Sequence, residues 1–413
     1  MDKISAGDTA WVLASAALVM IMTPGLGFFY GGLVRRKNVL STVMHSFFIL
    51  CLISVQWVLW GYSLAFGPDW KGFGIIGDLS WVGLNGVGLK PNADYSATVP
   101  HQAYMVFQLM FAVITPALIS GAFAERKRFK AFILFSLLWA TFVYDPLAHW
   151  VWGHGGWLSK MGALDFAGGT VVHISSGVSA LVAAWVLGKR ITHKPGEDVE
   201  PHDIPMVVLG CALLWFGWFG FNAGSALAAN GLAVSAFVNT NTAAAMAALT
   251  WLTISWAHKG VPSVVGATAG AVAGLVAITP AAGYVTPLAA ILIGLMVSLV
   301  CYGAVMLRDR MKVDDALDVW AVHGVGGTVG ALATGLFATT AINAGAANGL
   351  FYGNPKQLWI QTIAVVAAWV FSGVMTFLIL KFVNIFVPLR VTENEEAMGL
   401  DLSQHSEVAY SPS

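Results

Sequence analysis

The sequence has 413 residues, of which 57% are hydrophobic and 10% are charged, and it contains 45 glycines. Soluble domains usually carry roughly 25% charged residues, so this composition excludes a soluble globular protein and indicates a membrane protein. The formal net charge of +0 gives no support to nucleic-acid binding. The apolar runs have the length of membrane-crossing helices and lack the short alternation of barrel strands, so we expect an all-α membrane protein.

Eleven apolar runs predict eleven transmembrane helices, spans one to eleven. They form one predicted transmembrane domain over residues 1–390, and a cytosolic regulatory tail follows over 391–413. The first run is too long for a signal peptide and follows few positive charges, so we expect it to be retained. The predicted spans cover residues 9–33, 40–66, 101–124, 131–150, 167–188, 204–228, 232–256, 263–281, 286–306, 317–340 and 357–387.

Basic residues concentrate in alternate loops. Because cytosolic loops carry the excess of Lys and Arg, this pattern predicts an N-terminus outside and, after an odd number of spans, a C-terminus inside. The predicted cytosolic loops carry Arg35, Arg36, Lys37, Arg126, Lys127, Arg128, Lys130, Lys189, Arg190, Lys194, Lys259, Arg308, Arg310 and Lys312. The opposite loops carry only Lys71, Lys90, Lys160 and Lys356.

The segments outside the spans differ in composition. Residues 67–100, rich in Gly, Asp and Asn, predict an ordered external loop, and the aromatic residues 149–166 predict an external mouth. The acidic tail over 391–413 either docks on the cytosolic face of this chain, docks on a partner, or is disordered.

Residues 165–177, DFAGGTVVHISSG, place an aspartate and His173 within or beside a membrane span. Ionisable groups are costly in a bilayer and indicate functional sites. The positions three and four residues from His173 are small: Gly169, Thr170, Ser176 and Gly177. A second helix can therefore approach closely on this face.

A similar segment, DVWAVHGVGGTVG, occupies residues 318–330 and carries His323 on another face of small residues. Spans one and six also share an aromatic and glycine pattern, MTPGLGFFYGG against LLWFGWFGFNAGS. Five spans separate the members of each pair, so we expect an inverted pseudo-two-fold repeat of spans 1–5 and 6–10.

The two histidine faces are expected to pack together. His173 and His323 would then share a proton between ring nitrogens and line a narrow path. Two alternatives stay open, namely that each histidine only packs, or that the two bind a metal. A metal would need a third or fourth ligand, and none stands at ligand spacing on these helices, so we expect no metal and no cofactor.

Carboxylates and aromatic rings complete the candidate site. Asp165 and Asp318 stand at span starts, where a carboxylate caps free backbone N–H groups, and Asp165 can also attract or steady a cation at the mouth. Aromatic rings and one hydroxyl, which suit a small ammonium ion, come from Phe107, Phe111, Trp152, Phe221 and Ser225. Core packing is the alternative for each aromatic residue.

The motifs DFAGGTVVHI, GWFGFNAGS, VDDALDVWAVHGVGG, GAFAERKRF and GLDLSQHSEVAY resemble those of the Amt/Rh ammonium transporter family, on its bacterial and archaeal Amt side. The resemblance implies a homotrimer in the inner (plasma) membrane, with a pore in each subunit. Trp152 favours the Amt branch, since the Rh branch lacks this tryptophan. The segment from Trp152 to Asp165 is one residue longer than in the best-known bacterial member.

The resemblance also implies a role for each candidate residue. Trp152, Ser225 and Phe111 would recruit ammonium, and Phe111 and Phe221 would form the gate. Phe107 and Trp218 would line the outer vestibule, and His173 and His323 would line the pore. Asp165 would be the buried acidic residue needed for transport. The tail is similar to those that respond to trimeric regulatory proteins of the PII type, which makes such a protein a candidate partner.

We therefore expect a transporter, not an enzyme, that takes up ammonium or methylammonium. It would deprotonate ammonium, conduct ammonia past the histidine pair and carry the proton too, with net charge movement. A passive ammonia channel, an ammonium sensor and an intramembrane enzyme using the histidines are the alternatives. A water or glycerol channel is disfavoured, because Asn-Pro-Ala turns and a pore arginine are missing.

Overall fold

The computed structural model describes residues 4–193 and 200–410, apart from the side chain of Asp309. Lys194 and the last three residues of the predicted tail lie outside the described residues. The described chain consists mainly of helices, with one small β-hairpin of strands β1 (Pro91–Asn92) and β2 (Ser96–Pro100).

Each of the eleven predicted spans overlaps a helix. The first seven helices are α1 (Ala6–Leu33), α2 (Arg36–Phe66), α3 (His101–Phe123), α4 (129–152), α5 (Gly169–Leu187), α6 (Ile204–Gly224) and α7 (Gly231–Lys259). They are followed by α8 (Val264–Ile278), α9 (Pro287–Met311), α10 (320–337) and α11 (Pro355–Phe386). In the part of the chain that is described, nine helices are long and apolar enough to cross a membrane, and α8 is a shorter apolar helix. The number of spans and their orientation stay predictions.

Short elements connect these helices. A helix over Trp157–Met161 follows α4, and single 3-10 turns occur at Trp70–Gly72, Val82–Leu84 and Leu350–Tyr352. After α11 the tail forms two further helices, α12 (Glu393–Met398) and α13 (Leu400–His405).

Polar residues cap the starts of the long helices. The Ser5 hydroxyl accepts the Asp8 N–H at 3.2 Å, and the Asn230 side chain accepts the Leu232 N–H at 3.0 Å. Proline occupies the first position of α9 and α11, where its missing N–H costs no helix hydrogen bond. These caps matter because hydrocarbon supplies no partner for a free backbone group.

Four helices contain a π-helical turn, at Trp57–Gly61, Ala140–Tyr144, Gly169–Ile174 and Trp320–Val325. Such turns are rare and occur frequently at functional sites. The third and fourth carry His173 and His323, so the two candidate pore residues share one kind of local distortion.

The helices that the sequence pairs as repeats contact each other, α1 with α6 and α5 with α10. The tightest contact between α5 and α10 is at Gly177 and Gly324. A Cβ atom on Gly177 would stand 2.0 Å from the Gly324 nitrogen, so no side chain fits there. Glycine therefore lets the two backbones touch beside the histidines.

Charged side chains join the loops at the predicted cytosolic face. The buried Glu125 carboxylate accepts hydrogen bonds from Arg35 at 2.9 Å and from Arg190 at 3.0 Å, and Arg190 also binds Asp314 at 2.8 Å. Burial alone would raise the pKa of Glu125, but Arg190 and Arg35 hold it below its ordinary value. Four of the loops that the sequence places on one side thus meet in one ion-pair network.

The tail helices pack against this same face. Asp401 accepts the backbone N–H groups of Leu40 at 3.0 Å and Ser41 at 2.8 Å near the start of α2, where a helix N-terminus favours a negative charge. Glu396 accepts the N–H of Ile191 at 2.7 Å. The tail therefore contacts both the start of α2 and the loop that follows α5.

We expect Gly177→Ala to lower the melting temperature of the detergent-solubilised protein. The new methyl group must push α5 away from α10, and overpacking of a tight interior costs about 1–3 kcal/mol. Gly303→Ala in α9 is the matched control, because a Cβ atom there meets no atom within 4 Å. Equal melting temperatures for the two variants would contradict the tight contact.

Candidate functional site

A cavity of about 270 Å³, named here the Trp152 pocket, lies beside the β-hairpin. It brings together all three residues that the sequence predicts to recruit ammonium, namely Phe111, Trp152 and Ser225. The remaining lining residues are Asp94, Tyr95, Tyr104, Gln108, Val151, Phe166 and Leu227.

Hydrogen bonds orient the polar groups of the Trp152 pocket. The Trp152 indole N–H donates to the Asp165 carbonyl at 2.9 Å, and the Ser225 hydroxyl, at the end of α6, donates to the Phe221 carbonyl at 2.8 Å. Because its proton is engaged, the Ser225 oxygen keeps lone pairs that can accept a hydrogen bond from a cation. The Trp152 ring meets Phe111 edge-on, with centroids 5.9 Å apart.

The Asp165 carboxylate caps the start of α5. It accepts the backbone N–H groups of Gly168 at 2.8 Å, Gly169 at 2.6 Å and Thr170 at 2.8 Å, together with the Thr170 hydroxyl. Burial raises the pKa of Asp165, and these hydrogen bonds oppose that rise. The carboxylate is therefore occupied by the helix start, and only the backbone carbonyl of this residue reaches Trp152.

Two phenyl rings close the Trp152 pocket toward the protein interior. Phe111 and Phe221 stack with centroids 4.2 Å apart and planes 29° apart, and both side chains are buried. Phe221 in turn lies 6.0 Å from the His173 ring. The predicted gate pair thus separates the Trp152 pocket from the histidines.

His173 and His323 form a buried pair directly behind this gate. Their Nδ1 atoms are 3.2 Å apart and their ring centroids are 5.3 Å apart. The Nε2 atom of His173 is buried and has no hydrogen-bond partner. One Nδ1 atom must donate and the other accept, so the two neutral rings take opposite tautomers.

Trp218 and Phe107, predicted for the outer vestibule, contact His173 and Phe111 respectively. Trp218 does not line the Trp152 pocket. It stacks on His173 at 5.4 Å, and its N–H donates to the Thr279 hydroxyl at 2.8 Å. Phe107 is fully buried and packs edge-on against Phe111 at 5.0 Å. Trp218 therefore lies beside the histidine pair, and Phe107 packs against the gate residue Phe111.

Sequence reasoning missed several lining residues. Gln108 is largely buried, its amide N–H donates to the Tyr104 hydroxyl at 3.2 Å, and its Oε1 atom has no partner. Since Gln108 precedes Phe111 by three residues, helical spacing could have placed both on one face. Asp94 and Tyr95 come from the β-hairpin, and no periodicity pointed to them.

A larger cavity of about 670 Å³, named here the His323 cavity, lies on the other side of the histidine pair. It has room for several water molecules, each of which occupies roughly 30 Å³. Its charged and titratable lining residues are Arg190, His193, His258, Lys259, Arg308, Asp314, Asp318 and His323. A cavity large enough for water, with several charged residues on its lining, thus reaches His323.

The structure also corrects the predicted cap of α10. Asp315 accepts the Trp320 N–H at 2.7 Å, which is the capping contact that the sequence assigned to Asp318. Asp318 has a left-handed backbone, with φ of 57°, and its carboxylate binds Arg308 at 2.5 Å. The capping carboxylate thus comes from a residue three positions earlier than predicted.

No group of three or more His, Cys, Asp or Glu side chains that could hold a metal ion occurs among the described residues. The Trp152 pocket offers aromatic faces, the hydroxyls of Ser225, Tyr95 and Tyr104, the Gln108 amide and the Asp94 carboxylate, and two imidazoles lie behind the gate. These groups can hold a small cation in the Trp152 pocket and pass a small neutral molecule along the histidines.

Comparison with known proteins gives the family. The sequence model of the Ammonium Transporter Family matches residues 10–410. An ammonium transporter of Bacillus subtilis is 56% identical over 408 residues, which cover 98% of this chain and 99% of that protein. The ammonium transporter Amt1 of Archaeoglobus fulgidus is 50% identical over 407 residues, which cover 98% of this chain and 100% of that protein.

The fold also matches a solved structure. The crystal structure of Candida albicans Mep2 superimposes with a TM-score of 0.90 at 40% identity, over 98% of this chain and 91% of that one. The family expected from the motifs is thereby confirmed, and it is a family of transporters rather than of enzymes. This chain belongs to the ammonium transporter family.

Proposed function

We propose that the chain is an ammonium transporter that recruits ammonium in the Trp152 pocket, deprotonates it at the gate of Phe111 and Phe221, and conducts ammonia past His173 and His323. The single observation that carries the proposal is the histidine pair, with its Nδ1 atoms 3.2 Å apart, directly behind two stacked phenyl rings. The proton moves as well, so transport carries net charge.

Recruitment uses groups that bind a cation without a full carboxylate cage. The faces of Trp152 and Phe111 attract an ammonium ion at about 0.5–2 kcal/mol for a good contact. The oxygen atoms of Ser225 and Gln108 accept hydrogen bonds from its N–H groups and replace part of its hydration shell.

Deprotonation follows from the cost of charge in a dry interior. A unit charge at the centre of a bilayer costs at least about 2.5–3.5 kcal/mol, whereas ammonia is neutral. The gate rings are buried and apolar, so the ion transfers its proton to the free Nε2 lone pair of the histidine pair and moves on as ammonia. The His323 cavity supplies the water in which ammonia is protonated again.

The histidine pair offers both a donor and an acceptor to the lumen. Because the shared Nδ1 contact contains one proton, one ring presents an Nε2–H group and the other an Nε2 lone pair. Ammonia can exchange hydrogen bonds with both, and a proton can pass between the rings. Without that proton transfer, the same geometry would serve a passive ammonia channel, which is the second candidate function.

We propose a homotrimer in the inner (plasma) membrane, with methylammonium as a second substrate. We also propose that the tail over 391–413 is regulatory and that a PII-type protein binds at the cytosolic face. An ammonium sensor that signals through the docked tail stays a lesser alternative.

The wild-type protein in proteoliposomes on a solid-supported membrane should give an ammonium-evoked current. Replacement of His173 and His323 together by leucine should abolish the current or the selectivity against potassium, because the proton relay is lost. Ammonia flux without current in the wild type would support the passive channel. Unchanged current and selectivity in the double variant would contradict the role of the histidines.

Trp152→Leu should raise the ammonium concentration at half-maximal current about two- to thirtyfold, the range given by loss of one cation–π contact of 0.5–2 kcal/mol. Trp185→Leu is the matched control, because that tryptophan is 64% exposed and does not line the Trp152 pocket. An equal half-saturation value for both variants would contradict recruitment by Trp152.

Deletion of residues 391–413 should change ammonium uptake in nitrogen-replete cells, because the tail contacts the start of α2 and the loop whose Arg190 lines the His323 cavity. Asp401→Ala should change uptake in the same direction, since it removes the contacts to Leu40 and Ser41. Glu393→Ala, an exposed charge on the same tail, is the control. Uptake by the deletion variant that matches the wild type would refute the regulatory role.

A further inference from the structure

Asp94 occupies the turn between β1 and β2, and the next residue, Tyr95, holds that turn in place. The Tyr95 hydroxyl donates to the Phe66 carbonyl and accepts the His154 N–H at 3.2 Å. The Tyr95 ring also stacks on Tyr104, with centroids 4.9 Å apart. The turn is therefore anchored both to α3 and to the segment that follows Trp152.

This anchoring puts a carboxylate at the Trp152 pocket. Of the described residues that line the pocket, Asp94 alone carries a charge. Asp165, the other carboxylate of this region, points its oxygens at the backbone of α5. The only negative charge that an incoming cation meets on the pocket lining is thus that of Asp94.

A histidine stands beside that carboxylate. The Nδ1 atom of His154 lies 3.7 Å from Oδ1 of Asp94, which is too long for a direct hydrogen bond but short enough for strong electrostatic contact. Both side chains are more than half exposed, at 66% and 53%. The pair leaves the carboxylate open to solvent, and a positive charge on His154 would oppose it.

We propose that Asp94 is an affinity-determining residue of the transporter, whose carboxylate concentrates ammonium at the Trp152 pocket before the aromatic rings and hydroxyl bind it. The inference rests on the proposed function, since it assigns a further residue to the same recruitment site. Asp94 acts through its charge rather than through a fixed hydrogen bond, because no hydrogen bond to its carboxylate oxygens occurs among the described residues and His154 lies 3.7 Å away.

The expected increase in ammonium concentration follows from the Coulomb attraction of one carboxylate in a medium with the dielectric constant of water. Attraction across about 7 Å of water raises the local concentration of a monovalent cation about threefold. The Debye length falls from about 30 Å at 0.01 M ionic strength to about 3 Å at 1 M, so added salt should remove the effect. Salt dependence is the property that separates attraction by charge from a structural role of the turn.

The test measures ammonium-evoked current in proteoliposomes at low and high ionic strength. Asp94→Asn should raise the half-saturation concentration about two- to fivefold at low ionic strength and leave the maximal current unchanged, with little difference near 1 M salt. Asp94→Glu should resemble the wild type. Asp78→Asn is the matched control, because it removes a carboxylate from the same external segment outside the pocket.

His154→Lys provides a second variant that leaves the turn sequence intact. A permanent positive charge beside Asp94 should raise the half-saturation concentration in the same salt-dependent way. Unchanged half-saturation in both Asp94→Asn and His154→Lys, or an increase that salt does not reduce, would overturn the inference while the wild type still transports. Absence of any ammonium current in the wild type would instead refute the proposed function.

Discussion

The contact of Gly177 with Gly324 decides where the two histidines meet. Because the backbones of α5 and α10 touch there, His173 and His323 face each other across a gap too narrow for another side chain. An imidazole buried in an apolar interior needs a hydrogen-bond partner, and each ring supplies one for the other. A larger residue at position 177 would separate the rings and leave both nitrogens unsatisfied.

Asp165 has a comparable influence on the Trp152 pocket. Its carboxylate holds the first backbone N–H groups of α5, while its carbonyl accepts the indole N–H of Trp152. One residue therefore sets both the start of the histidine-bearing helix and the orientation of the aromatic ring in the pocket. The position of the Trp152 ring and the position of His173 are thus linked through a single short segment.

The tail is connected to the inner end of the same path. Glu396 binds the backbone beside Arg190, and Arg190 joins Glu125 and Asp314 in the buried network that borders the His323 cavity. Arg190 and Asp314 also line that cavity. Movement of the tail would therefore disturb charges at the exit of the path, which gives the proposed regulation a physical route.

Sequence alone determined the class of the protein, because apolar length and the position of charges report directly on the membrane. It also singled out His173, His323 and Asp165, since ionisable groups are rare in such segments. It did not determine the depth of Trp218, the cap by Asp315, or the approach of Asp94 to the pocket. The depth of Trp218 and the approach of Asp94 depend on which helices and turns touch, and contacts between residues far apart in the chain leave no mark on local spacing. The cap by Asp315 is local, but it accompanies a left-handed backbone at Asp318, whose carboxylate binds Arg308, and residue types alone do not predict that conformation.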